Sequence, residues 1–212
     1  RMAVTGLSEN MMRLNPDYES PLETQALMGT IVEIIGEESY WRQVVTPEPY
    51  TAWCTNLGLV EMTAEQINEY KAAPKYICTT QHSGVYETPS LKSRRLSDLS
   101  MGNLLRIVYT EGKKVKPSVK KKWAEVMLPD GRKGWTPATD LTFFAEWAGK
   151  QKITAENIVN TAMTFEGTPY LWGGASSKGL DCSGLVRLTF MMNGHLLPRN
   201  ASQQVNYGRE II

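Results

Sequence analysis

Pro16, Gly29, Trp41, Val44 and Trp53 return in the same order as Pro89, Gly102, Trp123, Val126 and Trp135. The offset is 73 residues for the first two pairs and 82 for the last three, so nine residues are inserted in the second copy. A lysine-rich stretch at 113–122 lies in the interval where the insertion must fall. A repeat of this kind is one supersecondary unit used twice. In each copy short apolar runs alternate with turns, at 30–35 and 40–45 and again at 104–108 and 123–127. Asp130-Gly131 adds a tight-turn signal between the last runs of the second copy. The sequence therefore predicts two small β-barrels of similar topology, over residues 1–73 and 74–147. A short polar helix at 63–71, ended by Pro74, marks the boundary between them.

Composition narrows the function classes. A formal net charge of +1 over 212 residues lacks the basic surplus of a nucleic-acid binder. No apolar stretch approaches the roughly 20 residues that span a bilayer, so no membrane span is expected. Three cysteines are too few and oddly numbered for a disulfide framework, and Cys54 and Cys78 fall in strand-like apolar runs that suit core burial. The chain opens with Arg1 ahead of Met2, which reads as a chain whose earlier residues have been removed. Nothing in the sequence calls for a metal or a cofactor. The six lysines in the run at 113–122 fit a solvated hairpin tip better than a contact for anionic polymers.

The remaining segment, 148–212, carries the chemistry. Residues 154–166 read as a helix capped by Thr154 and stopped by Gly167, with Ile158, Ala162 and Phe165 on one face. Asp181 is a good N-cap for a second helix over 183–192, whose Leu185, Leu188, Thr189 and Met192 share a face. Cys182 then stands in the first helical turn. Unpaired backbone N–H groups and the positive end of the helix dipole favour thiolate there, which suits a nucleophile. The alternative is a buried structural cysteine, and the isolated Asp-Cys-Ser-Gly string does not decide between them.

Its surroundings do. Pro-Tyr-Leu-Trp-Gly-Gly at 169–174, Asp-Cys-Ser-Gly at 181–184 and Pro-Arg-Asn-Ala-Ser-Gln at 198–203 follow in order. Together they resemble the motifs around the nucleophile of the NlpC/P60 family of cysteine peptidases. The repeat resembles bacterial SH3 domains, in which Gly opens an apolar strand, Trp begins the next and Gly-Trp closes another. Gly134-Trp135 matches, whereas the first copy has Ala52-Trp53. The resemblance implies an α+β chain: two SH3-like barrels, then residues 148–212 as the N-terminal helical portion of a papain-like peptidase domain.

It also implies roles. Cys182 is the expected nucleophile, and Tyr170 points toward the oxyanion position or else serves as a core aromatic. Trp172 shapes a pocket wall. Asp181 and Ser183 bind the free amino end of a peptidoglycan stem peptide, and Asp181 can cap its helix at the same time. Ser202 is a weaker candidate for substrate contact. The first SH3-like copy would border the cleft, where Glu19, Glu23 and Tyr50 are only guesses. The implied activity is hydrolysis of the γ-D-glutamyl–diamino acid bond in stem peptides with a free N-terminal L-Ala, in the cell envelope. The signal segment would be absent from this chain.

A cysteine peptidase needs a base, and the family supplies a histidine well downstream of the nucleophile. His82 lies in the second copy, and His195 follows Cys182 by 13 residues, at the end of the same helix. Ten residues of helix carry that end about 15 Å from the thiol, so neither histidine fits. The expectation is that the catalytic histidine resides beyond residue 212, in a missing segment or a second polypeptide. Without it the nucleophile helix should expose its apolar face. The rival reading is a cell-wall-binding SH3 module with a catalytically incomplete remnant.

Overall fold

The computed structural model describes residues 1–112 and 114–211. The first lysine of the run, Lys113, and the last residue, Ile212, lie outside them. The N-terminal part is built from β1 (Met2–Thr5), β2 (Glu9–Arg13), β3 (Leu22–Leu27), β4 (Ile31–Glu38), β5 (Trp41–Val45), β6 (Thr51–Thr55) and β7 (Leu59–Met62). They form one antiparallel sheet in the order β3-β2-β6-β5-β4-β1-β7. Helix α1 (Ala64–Ala72) follows, its first turn closed by a capping box between Thr63 and Gln66.

The next strands are β8 (Lys75–Cys78), β9 (His82–Tyr86), β10 (Arg95–Ser100), β11 (Leu104–Ile107), β12 (Val119–Lys120), β13 (Trp123–Met127), β14 (Lys133–Pro137) and β15 (Leu141–Phe143). Their order, β10-β9-β14-β13-β11-β8-β15, copies the first sheet strand for strand. Only β12, paired to β13 alone, has no counterpart. It ends the excursion that the inserted residues make between β11 and β13. The repeat's glycines are explained by backbone: Gly29 and Gly102 have φ of 91° and 90°, which side-chain-bearing residues rarely adopt.

One expectation needs correcting. Each sheet runs from one free edge to another, and among the described residues β3 does not pair with β7, nor β10 with β15. The sheets are open, not closed barrels. At the β3 edge lies a later hairpin, β16 (Ala175–Ser176) and β17 (Gly179–Leu180), whose first strand packs beside β3. Cys54 and Cys78, 3% and 0% exposed, sit in the cores of the first and second sheet as the sequence suggested.

After β15 come α2 (Phe144–Lys150), α3 (Ala155–Met163), the hairpin, α4 (Cys182–Met191) and a short α5 (Ala201–Gln204). Thr154 caps α3 by accepting from Asn157 N–H. The apolar face of α4 is not left bare. Leu188 and Met192 are buried in a cluster with Leu27, Ile77, Met101 and Phe165, and Leu185 packs against it. The two sheets thus supply the apolar surface that the sequence reading sought in a missing segment. No helix among the described residues is long and apolar enough to cross a membrane.

Candidate active site

Two glycines let the chain before α4 fold tightly. Gly173, with φ of 76°, lies against the Leu22 carbonyl so closely that any Cβ would strike it. Gly184 passes the Gly174 carbonyl with as little room, so the glycine of Asp-Cys-Ser-Gly is fixed by a helix start abutting a loop. Asp181 N–H donates to that same Gly174 carbonyl at 3.0 Å. The hairpin is then gripped by both sheets. Ala175 N–H donates to Gln25 Oε1 at 2.8 Å, Met101 N–H donates to Ser177 Oγ at 3.1 Å, and Lys178 pairs with Glu9 and Asp98.

Asp181 caps α4, its Oδ1 accepting from Gly184 N–H at 2.7 Å. It does more than cap. Arg199, 1% exposed, donates Nη1 to Oδ1 at 3.0 Å and Nη2 to Oδ2 at 2.6 Å, while Gly173 N–H reaches Oδ2 at 3.1 Å. Burial alone would raise the carboxyl's pKa. The hydrogen bonds from Arg199 and Gly184, the Arg199 charge and the Gly173 N–H together outweigh it and hold the group below its ordinary value. Arg199 also donates Nη1 to Ser183 Oγ at 2.8 Å and Nε to Thr24 Oγ1 on β3 at 2.8 Å. One guanidinium therefore joins the N-cap, the residue after Cys182 and the first sheet. Gln204 closes the far side by donating to the Ser183 and Pro198 carbonyls.

Cys182 is exposed at the first position of α4, facing an open hollow of about 510 Å³ lined also by Tyr170, Asp181, Leu180, Leu185 and Phe165. Tyr170 is 65% exposed and bridges to Leu180, so it is a surface aromatic beside the thiol and not a core residue. Trp172 is exposed, Ser183 is buried, and Ser202 lies exposed on α5; none of the three lines that hollow. His195 sits past the far end of α4, its ring 6.5 Å from that of Phe190, and His82 is on β9. Neither lines the hollow at Cys182.

Sequence reasoning named Pro198-Arg199 as part of a motif without giving the arginine a role, and it missed Thr24 and Gln25 altogether. It also missed a second buried arginine on α4, Arg187, paired with Glu48 of the first sheet's β5–β6 turn at 2.9 Å; their side chains are 7% and 2% exposed. On the β3 side, Tyr50 donates its hydroxyl to Glu23 at 2.6 Å. Burial, then that bond and the Glu23 charge, push the phenol up to about 12.

An exposed thiol at a helix start, a neighbouring tyrosine, and a capping aspartate locked by a buried arginine define a class of protein: a cysteine peptidase. Residues 167–212 match the NlpC/P60 family. A Lysinibacillus sphaericus protein described as dipeptidyl-peptidase 6 is 29% identical over 88% of this chain and 67% of its own length. A Bacillus cereus protein described as a gamma-D-glutamyl-L-lysine dipeptidyl-peptidase is 29% identical over 88% of this chain and 55% of its own. The chain thus spans between about half and two thirds of the length of these curated relatives. The crystal structure of an NlpC/P60 family protein from Bacillus cereus superposes with a TM-score of 0.83, covering 100% of this chain and 79% of that one at 22% identity. The likeness is one of fold.

Proposed function

We propose that this chain belongs to a peptidoglycan endopeptidase that hydrolyses the γ-D-glutamyl–diamino acid bond of stem peptides with a free N-terminal L-Ala. The observation that carries the reading is the exposed Cys182 thiol at the start of α4, in a hollow it shares with Tyr170. The thiolate attacks the γ-carbonyl carbon, and the oxyanion forms near the Cys182 N–H and the Tyr170 hydroxyl. Collapse breaks the C–N bond and releases the diamino acid's amine, which takes a proton from the base. Water then hydrolyses the thioester.

The proposed base is a histidine outside residues 1–212, since His82 and His195 stand away from the hollow. Residues 1–73 and 74–147 are proposed as two SH3-type modules, and 148–212 as the nucleophile-bearing part of the peptidase domain. Asp181, which lines the hollow, is proposed to meet the substrate there with Ser183 set behind it by Arg199, and the exposed Trp172 and Ser202 are proposed as substrate contacts outside the hollow. Glu23, whose carboxylate faces Tyr50 across from Arg199, adds negative charge on the side where a substrate ammonium would dock. The proposed setting is the cell envelope.

The test uses the full-length protein with L-Ala-γ-D-Glu-diaminopimelate and its lysine counterpart. Release of L-Ala-D-Glu by the native protein and none by Cys182→Ala is the expected result. Unchanged hydrolysis by Cys182→Ala would end the proposal.

A further inference from the structure

We propose that Lys178 is a positioning residue for Cys182. Its ammonium neutralises two carboxylates, one from each copy of the repeat, and so seats the hairpin from which α4 springs; the reaction it serves is the one proposed above.

Where the two sheets meet, acid faces acid. Ser8 donates its hydroxyl to Glu9 of β2 at 2.8 Å and reaches Asp98 of β10 at 3.4 Å. The Ser8 carbonyl is tied to the second copy, accepting from Asn103 Nδ2 at 3.0 Å and from Ser100 Oγ at 3.3 Å. The two carboxylates therefore flank one hydroxyl, whose single proton serves one of them at a time. The Glu9 side chain is 9% exposed, and its Oε1 has no hydrogen-bond partner among the described residues. Like charges held this close oppose one another, and salt screens a buried one poorly.

Lys178 supplies the cation. Its Nζ lies 3.4 Å from Glu9 Oε1 and pairs with Asp98 Oδ2 as well. Arg95 also stands near Asp98, but at 3.9 Å and with an exposed side chain. Among the described residues Glu9 has no ion-pair partner besides Lys178.

The repeat shows that the fold does not require such charges. At the 73-residue offset, Ser8 and Glu9 correspond to Gln81 and His82, and Asp98 corresponds to Gln25. Both glutamines hold the hairpin through uncharged bonds: Ser177 Oγ donates to the Gln81 carbonyl at 2.6 Å, and Ala175 N–H donates to Gln25. The paired carboxylates occur only where Lys178 enters.

Lys178 stands four residues before Cys182. Its N–H donates to Ser176 Oγ at 3.2 Å, within the turn between β16 and β17. β17 runs directly into Asp181, and its Leu180 bridges to Tyr170. Without the ammonium the turn faces two unneutralised carboxylates, and its displacement carries the cap, Tyr170 and the thiol with it.

The test attaches a trifluoromethyl ketone label to Cys182 of the full-length protein and reads its fluorine resonance. Cys54 and Cys78 are buried, and Cys182→Ser identifies the line. One narrow line is expected for the native protein and for Lys178→Arg, and a broadened or split line for Lys178→Met. Stem-peptide hydrolysis by unlabelled Lys178→Met should fall roughly tenfold. Asp98→Lys and Lys178→Glu should each behave like Lys178→Met, whereas the two combined should recover both line and rate, because the charges have changed places. Thermal melts establish which variants are folded. The proposal is overturned by a Lys178→Met protein that melts lower yet keeps the native line and rate, or by a combined variant that recovers neither. A native protein that leaves the stem peptide intact would end the peptidase reading, while the fluorine line would still decide the role of Lys178.

Discussion

Arg199 holds both carboxylate oxygens of Asp181, at 3.0 and 2.6 Å, from a position almost wholly removed from solvent. Its third donor reaches Thr24, 175 residues earlier in the chain. Removing one member of such a pair leaves a charge without its partner. Arg199→Met should cost about 3–5 kcal/mol in urea unfolding, and Thr24→Val about 1 kcal/mol. An Arg199→Met protein as stable as the parent would mean that the guanidinium does not tie the N-cap to the first sheet.

The same pair sets an acid limb. The folded pKa of Asp181 lies below its unfolded value, so its contribution is present above the unfolded pKa and lost as pH falls through the folded one. The urea midpoint should therefore drop below about pH 4, and Asp181→Asn should flatten that drop while lowering stability at neutral pH. Parallel midpoint-against-pH curves for the two proteins would contradict this.

The ion pair of Arg187 with Glu48 poses a different question, because Arg187 Nε and Nη1 and Glu48 Oε2 have no hydrogen-bond partner among the described residues. Burial lowers the arginine's pKa against the pull of Glu48. Glu48→Gln should destabilise by about 3 kcal/mol, whereas Arg187→Met combined with Glu48→Leu should cost less than either single change. Thermal melts of the three variants decide it.

Tyr50 offers an optical readout. Its phenol and that of Tyr70 are both raised to about 12 by burial, with Glu23 adding to the effect at Tyr50. The stabilising contribution is complete below the unfolded value near 10 and is lost as pH rises through about 12. Alkaline ultraviolet titration should show a late-ionising class that Tyr50→Phe reduces by one phenol. Retention of the full late class in Tyr50→Phe would refute the assignment.

The sequence told most where the signal is local. Gly29 and Gly102 mark the turns of the repeat because their φ values exclude most residues, and Asp181 announces α4 because a cap acts within one helical turn. Sheet closure was misjudged, since a strand pattern gives no information on which edge stays free. The partners of Arg199 were illegible for the same reason. Thr24 and Arg199 meet only after two sheets and four helices have packed, and nothing in either neighbourhood records it. The apolar face of α4 could be read, but its cover came from Leu27, Ile77 and Met101 in earlier elements and not from residues downstream.

The hairpin before Cys182 is held at corresponding places on the two copies. Gln25 on β3 and Asp98 on β10, one repeat apart, grip Ala175 and Lys178. Those edges leave the ribosome well before the cysteine does. The pose of the Cys182 thiol thus depends on two surfaces that both precede it in the chain, so a change at either sheet edge is felt at the start of α4.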